Sequence, residues 1–137
     1  MKKVLGFEEE IKHILKQYMP FRDFRITTNE GFTVLALVRP KRSLFDALAT
    51  IKHRRPLIIG TIQPGHSLDE TLPKRIIRAL QRNTKLATDN LIIYVEETQV
   101  TLEGFTTWRF ESEAIGRIIW GVKGVQSVNN LMKAKYH

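Results

Sequence analysis

The sequence contains no cysteine among its 137 residues. Disulfide bonds, thiolate metal sites and a cysteine nucleophile are therefore excluded. No run approaches the ~18 apolar residues that a membrane-spanning helix needs. Two lysines open the chain, but the apolar run that follows extends only from Val4 to Phe7 and then meets three glutamates, so we expect no signal peptide. These absences predict a cytoplasmic protein, at most peripheral at the inner membrane.

Recognisable catalytic and metal-binding patterns are missing as well. The four histidines are scattered along the chain without metal-ligand spacing. Neither common glycine-rich phosphate-binding motif occurs, and the serines lack the context of a nucleophile elbow. Glutamates near a predicted hairpin are badly placed for paired acid and base chemistry, which needs a pocket. We therefore predict that the protein is not an enzyme and uses no metal or cofactor.

Basic residues are in clear excess over acidic ones. The chain has 22 Lys and Arg against 14 Asp and Glu, a formal charge of +8 and a pI of about 10.0. Such an excess favours an anionic partner, which could be nucleic acid, acidic phospholipid or an acidic protein surface. No recognised nucleic-acid motif is present, so we do not expect nucleic acid to be the partner.

The same order of predicted elements occurs twice along the chain. The first half contains a helix, two strands, a helix and a strand, at 8–19, 24–28, 32–38, 43–51 and 56–62. The second half repeats this order at 73–83, 90–96, 100–105, 110–122 and 124–132. Leu35 aligns with Leu102 and Ile51 with Ile118 at a common spacing of 67, which favours a duplication. We predict an α+β fold of two tandem αββαβ units, residues 7–63 and 70–135, each a three-stranded sheet covered by two helices.

The second half also carries a specific combination of short motifs. These are Val100-Thr101-Leu102-Glu103-Gly104 in a strand, Ala114 in the following helix, and Gly121-Val122-Lys123-Gly124-Val125-Gln126-Ser127-Val128-Asn129-Asn130-Leu131 at its end. In this combination the second half resembles the BON domain. The first half resembles it by topology alone, since Leu37 stands where Gly104 stands, and it would be a degenerate copy. The resemblance implies a non-catalytic bacterial module of stress and envelope proteins, whose members bind anionic phospholipid or potassium, or pack within larger assemblies.

A stripe of basic residues is predicted along the first helix of the second half. Its members, at positions i, i+3, i+7 and i+10, are Arg75, Arg78, Arg82 and Lys85. They lie on the side of the helix away from the apolar residues. A stripe of this kind can bind an anionic membrane, and the resemblance implicates this same helix in lipid binding. It can also be no more than a solvated helix face.

Trp108 follows a predicted strand and could insert at a lipid interface, although packing against the first half is the favoured alternative. We predict a module that binds anionic phospholipid through the basic stripe and Trp108. Two alternatives remain open. One is an interaction or self-assembly module that binds another protein or its own copies. The other is potassium binding, which a formal charge of +8 makes electrostatically less natural.

Glycines mark the joints of the second half. Gly104 is expected where a strand ends, and Gly121 and Gly124 are expected in left-handed conformations between the last helix and the last strand. Val125 and Val128 are three residues apart and cannot share one face of a regular strand. Their spacing predicts either a bulge or a strand that is buried on both sides near its start.

Overall fold

The computed structural model describes residues 6–20, 23–29, 32–38, 42–51, 56–62, 71–83 and 90–137. In its first half the elements are α1 (Phe7–Tyr18), β1 (Phe24–Asn29), β2 (Phe32–Val38), α2 (Arg42–Ala49) and β3 (Leu57–Ile62). In its second half they are α3 (Thr71–Gln81), β4 (Leu91–Glu96), β5 (Gln99–Trp108), α4 (Arg109–Trp120), β6 (Ser127–Asn130) and β7 (Lys133–Tyr136). The fold is mixed α+β, as the sequence predicts.

The described strands form one sheet in the order β1-β2-β3-β4-β5-β6, with β7 paired to β5. β1 is antiparallel to β2 and β2 is parallel to β3, and the same pattern links β4, β5 and β6. Between the halves, β3 runs parallel to β4, with Ile58 opposite Ile93. The sequence predicts a three-stranded sheet for each half, and in the structure these two sets of strands are joined edge to edge in one sheet.

The joining of the halves follows from the composition of β3 and β4. Both strands are continuous apolar runs, Leu57-Ile58-Ile59 and Leu91-Ile92-Ile93, and all six of these side chains are buried. Successive side chains of a strand point to opposite faces, so these runs need cover on both faces of the sheet. In a sheet covered by helices on one face only, half of these side chains would be exposed, whereas in the joined sheet the helices of the first half cover one face of these strands and the helices of the second half cover the other.

Two hydrophobic cores lie on opposite faces of this sheet. The first core contains residues of α1 and α2 together with Leu57, Ile59 and Ile92. The second core contains residues of α3 and α4 together with Ile58 and Ile93. Because neighbouring residues of one strand alternate between the cores, α1 and α2 cover one face and α3 and α4 cover the other. We call these the first face and the second face.

The first face is not covered along its whole width. In β5, Val100 and Leu102 are buried in the second core, whereas Thr101 and Glu103, which point to the first face, are only half-buried. On the second face, α4 packs against β5, β6 and β7. The part of the first face formed by β5 and its neighbours is therefore accessible.

The C-terminal strands differ from the prediction in their bounds. β5 continues past Gly104 to Trp108, and the last predicted strand is divided into β6 and β7. β6 pairs with the first part of β5 and β7 with the second part. Gly104 therefore lies within β5, with φ +133°, at the point where its neighbour changes. Asn130 is the last residue of β6, and its Oδ1 accepts a hydrogen bond from the N–H of Met132 at 3.1 Å, where the chain passes from β6 to β7.

The turn between α4 and β6 also corrects two expectations. Gly124 has the expected positive φ, +105°, but Gly121 is right-handed with φ −78° and ψ −5°. Val125 precedes β6, and its N–H donates to the carbonyl oxygen of Val122. The spacing of Val125 and Val128 thus needs no bulge, because only Val128 belongs to the strand.

Candidate functional site

The helix α3 holds the predicted basic stripe. Its inward side chains, Leu72, Ile76, Ile77 and Leu80, are at most 6% exposed and anchor it in the second core. The helix begins at Thr71, two residues earlier than predicted, and Pro73 lies in its first turn. Backbone N–H groups of a first turn have no partner within the helix, so proline is tolerated there. Because the apolar side of α3 is packed in the second core, the opposite side, which carries the basic residues, has a fixed orientation relative to the rest of the fold.

Three members of the stripe are exposed on this helix. Arg75 and Arg78 lie within α3, and Arg82 follows its last residue. Lys85, the fourth predicted member, lies outside the described residues. The sequence from 71 to 83 contains no acidic residue, so this surface carries positive charge with no acidic neighbour along the helix.

Arg75 has an additional role in the packing of the two helices. Its Nη1 donates a hydrogen bond to the carbonyl oxygen of Lys123 at 3.2 Å. Lys123 follows the C-terminus of α4, so this bond ties the exposed side of α3 to the end of the neighbouring helix. A further basic residue thus lies next to the stripe. Sequence spacing could not reveal it, since the two residues are 48 positions apart.

Trp108 is positioned by the start of α4. It is the N-cap residue of this helix, and its backbone N–H donates to Oε1 of Glu111 at 2.9 Å. The indole is 44% exposed. Its described ring contacts are with Phe110, at 6.4 Å between centroids, and with Tyr136, at 5.1 Å. These partners belong to the second half, so the packing of Trp108 against the first half is not what the described contacts show.

Trp108 belongs to a larger exposed aromatic group that the sequence did not reveal. Phe110 is 63% exposed and Tyr136 47%, and both lie against the ring of Trp108. Trp108 and Phe110 are close in sequence, whereas Tyr136 joins them only because β5 pairs with β7. The last strand was expected to end at Met132, so the meeting of these side chains could not be predicted.

A polar contact lies on the first face, below α2. The hydroxyl of Tyr94 donates to Oε2 of Glu103 at 3.4 Å. Burial of the phenol, followed by the negative charge of Glu103, raises the pKa of Tyr94 well above its usual range, and Asp46 of α2 acts in the same direction. The tyrosine therefore stays neutral and serves as a hydrogen-bond donor to the carboxylate.

Neither a membrane-spanning helix nor a cluster of metal ligands occurs in the part of the chain that the structure describes. No helix in these ranges is long and apolar enough to cross a membrane. Within the same ranges, no three His, Asp or Glu side chains come together as ligands for a metal ion.

Comparisons with known proteins give a family and a distant structural similarity. Two solved structures of CdsD, a structural protein of the type III secretion system of Chlamydia trachomatis, are similar at 13% identity. For the C-terminal domain structure, the match covers 98% of this chain and 69% of that chain with a TM-score of 0.40. For the other, it covers 99% and 66% with a TM-score of 0.41. A comparison with curated proteins finds no match.

The family assignment comes from the second half of the chain. The model of the BON domain matches residues 68–136, which is 69 of the 137 residues and contains α3, α4 and β4 to β7. The motifs around Gly104, Gly124 and Asn130 lie within this match. The chain therefore belongs to the BON domain family.

Proposed function

We propose that this chain is a non-catalytic binding module that attaches to anionic phospholipid surfaces through the exposed side of α3. One observation carries the proposal. Arg75, Arg78 and Arg82 are all exposed along one helix whose opposite side is buried in the second core. The side chains need no rearrangement of the fold to reach a surface, and the protein would act at the membrane as a peripheral module of the stress and envelope type.

The expected strength of this attachment is moderate. A Lys or Arg near an anionic membrane contributes about 1 kcal/mol, so three arginines contribute about 3 kcal/mol. Trp108 and Phe110 stand at the start of α4, the helix packed beside α3. Aromatic side chains favour the membrane interface, and we propose that Trp108 supplements the arginines there. Binding of this size should be reversible and sensitive to salt.

The arrangement of the strands supports a second part of the proposal, that the chain is a tandem of two related units. Residues 7–63 would be a degenerate first copy and residues 70–135 the second. Both halves contain the order αββαβ, to which the second half adds β7, and both have an antiparallel and then a parallel strand pair. Leu35 lies opposite Ile26 as Leu102 lies opposite Ile93, so the aligned leucines occupy matching positions.

Sedimentation with vesicles tests the lipid proposal. The wild-type chain should pellet with phosphatidylglycerol vesicles and not with phosphatidylcholine vesicles. The double change Arg78→Glu with Arg82→Glu should weaken binding about 30-fold or more, because two contacts of about 1 kcal/mol each are lost. The matched control is Lys133→Glu with Lys135→Glu. Each substitution lowers the charge by 2, so either pair takes the formal charge from +8 to +4.

The control separates the surface of α3 from net charge. If the vesicles select the exposed side of α3, the lysine pair should bind nearly as well as the wild type. Equal loss in both double variants would indicate attraction by net charge alone and would contradict the proposal. Equal pelleting with both kinds of vesicle, or with neither, would also contradict it.

A further inference from the structure

An open depression lies where the C-terminal part of β5 pairs with β7. The turn between β4 and β5 lies at the opposite end of β5. The volume of the depression is about 540 Å³. The lining includes Asn90, Phe105, Thr107, Lys133 and Lys135. None of these residues belongs to the stripe on α3.

The depression faces away from the helix that carries the arginines. Phe105 pairs with Lys133 and Thr106 with Ala134, so members of each pair share a face of the sheet. Thr106 is only 6% exposed, and α4 packs against β7 on this side. The exposed pair of Phe105 and Lys133 therefore lies on the first face, whereas α3 and α4 cover the second.

On the first face, positive charge lies at the depression itself, and negative charge lies beside it at Glu103. Lys133 and Lys135 are two residues apart on one strand, so their Cα atoms are about 7 Å apart. In the part of the chain that the structure describes, neither lysine has an ion-pair partner, and Nζ of Lys135 lies 5.3 Å from the centre of the Tyr136 ring. Glu103 lies on the same face, two residues before Phe105, and is held by Tyr94.

We propose that this depression binds an extended acidic segment of another protein. Carboxylates at alternate positions of an extended peptide recur at about 7 Å, which matches the spacing of the two lysines. An apolar side chain of the segment would cover Phe105, whose exposure of 67% is the largest among the exposed aromatic and large aliphatic side chains of the described residues. The proposal does not depend on lipid binding by α3.

The position of Glu103 favours a peptide over other anions. A nucleic acid strand or an anionic membrane presents negative charge everywhere, so it would be repelled at the Glu103 end of the surface. A peptide can place a neutral or basic residue there and carboxylates over the lysines. Complementary charges of this kind select one partner and one orientation.

Fluorescence anisotropy with a labelled synthetic peptide tests the proposal. The probe alternates glutamate and threonine on one side of a leucine and carries only serine and threonine on the other side, and the control probe has glutamine in place of every glutamate. We expect the glutamate probe to bind the wild-type chain and the glutamine probe not to bind. Lys133→Glu with Lys135→Glu, and separately Phe105→Ser, should each weaken binding by roughly tenfold or more. Arg78→Glu with Arg82→Glu should leave it within about twofold.

Three results would overturn the proposal. The first is no binding of the glutamate probe to the wild-type chain. The second is binding that the changes at Phe105, Lys133 and Lys135 do not weaken. The third is binding of oligothymidylate or phosphatidylglycerol vesicles that Phe105→Ser abolishes while the arginine variant retains it, which would assign the depression to nucleic acid or lipid. Circular dichroism confirms that each variant is folded.

Discussion

Replacing Gly104 with alanine should destabilise the fold severely. Gly104 has φ +133°, which residues with a side chain rarely adopt. A Cβ there would overlap the carbonyl oxygen of Asn90, lie 2.9 Å from its carbon and lie 3.3 Å from Cα of Leu91. These are backbone atoms, so no side-chain rotation can remove the overlap. Leu91 is moreover the residue that pairs with Gly104, so the strands would have to separate.

The magnitude follows from adding two costs. Backbone strain at such a φ costs about 1–3 kcal/mol. Overpacking costs about 1–3 kcal/mol, so the total is roughly 2–6 kcal/mol. This is a large part of the ~5–15 kcal/mol by which native proteins are stable. Urea unfolding followed by circular dichroism would measure the change in unfolding free energy.

Gly121→Ala is the matched control. Gly121 has an ordinary right-handed conformation, and the nearest atoms to an added Cβ are at 3.6 and 3.7 Å. The substitution should be neutral or stabilise by up to ~1 kcal/mol, because alanine restricts the unfolded chain. The reasoning is refuted if Gly104→Ala loses less than about 1 kcal/mol, or if the two variants are equally stable.

Two further predictions concern other contacts of the second half. Asn130→Ala should cost about 1–3 kcal/mol in a urea titration, because Nδ2 donates to the carbonyl oxygen of Ser112 at 3.0 Å and Oδ1 accepts from Met132. Asn129 is exposed like Asn130 but does not make these hydrogen bonds, so the same change there should cost less than ~0.5 kcal/mol, and similar losses at both would contradict the argument. The pKa of Tyr94 is raised on folding, so its stabilising contribution is complete below pH ~10, the range of the unfolded phenol, and is lost as pH rises above it. Tyr94→Phe should remove the most alkaline step of the phenolate absorbance and flatten the fall of unfolding free energy above that pH, and a step that persists in the variant would contradict the assignment.

The type and order of most elements could be predicted because they depend on local patterns. The helical spacing of Ile76, Ile77 and Leu80 predicts both α3 and its buried side, and the same spacing predicts that Arg75 and Arg78 are exposed. The apolar runs of β3 and β4 predict buried strands. The spacing of apolar residues and the local composition can be read from a short stretch of sequence, so the elements that they predict are found in the structure.

The remainder depends on which strands meet. The parallel pairing of β3 with β4 joins the two halves, and nothing within either strand specifies its partner. The bounds of β5 and β7 decide whether Phe105, Lys133 and Lys135 come together, and β7 is a short strand of alternating Lys and other residues with little apolar signal. This is why the arginine stripe was visible in the sequence and the depression was not.

The directions of the strands explain why these two surfaces lie on opposite faces. β2, β3 and β4 are mutually parallel, and β1 is antiparallel to β2, so β4 runs opposite to β1. The second half thus repeats the strand pattern of the first in the same left-to-right order but with every direction reversed. The two halves are therefore related by a half-turn about an axis that lies in the sheet, perpendicular to the strands. Such a rotation exchanges the two faces of the sheet, so α3 and α4 cover the face opposite to that covered by α1 and α2. α1 and α2 extend over the first face only as far as Ile92 and Tyr94 of β4, which leaves β5 and β7 open on that face. A membrane that contacts the arginines of α3 on the second face cannot also reach Phe105 and Lys133 on the first face. A chain bound to a membrane through α3 would therefore present the depression on the side that faces away from the membrane.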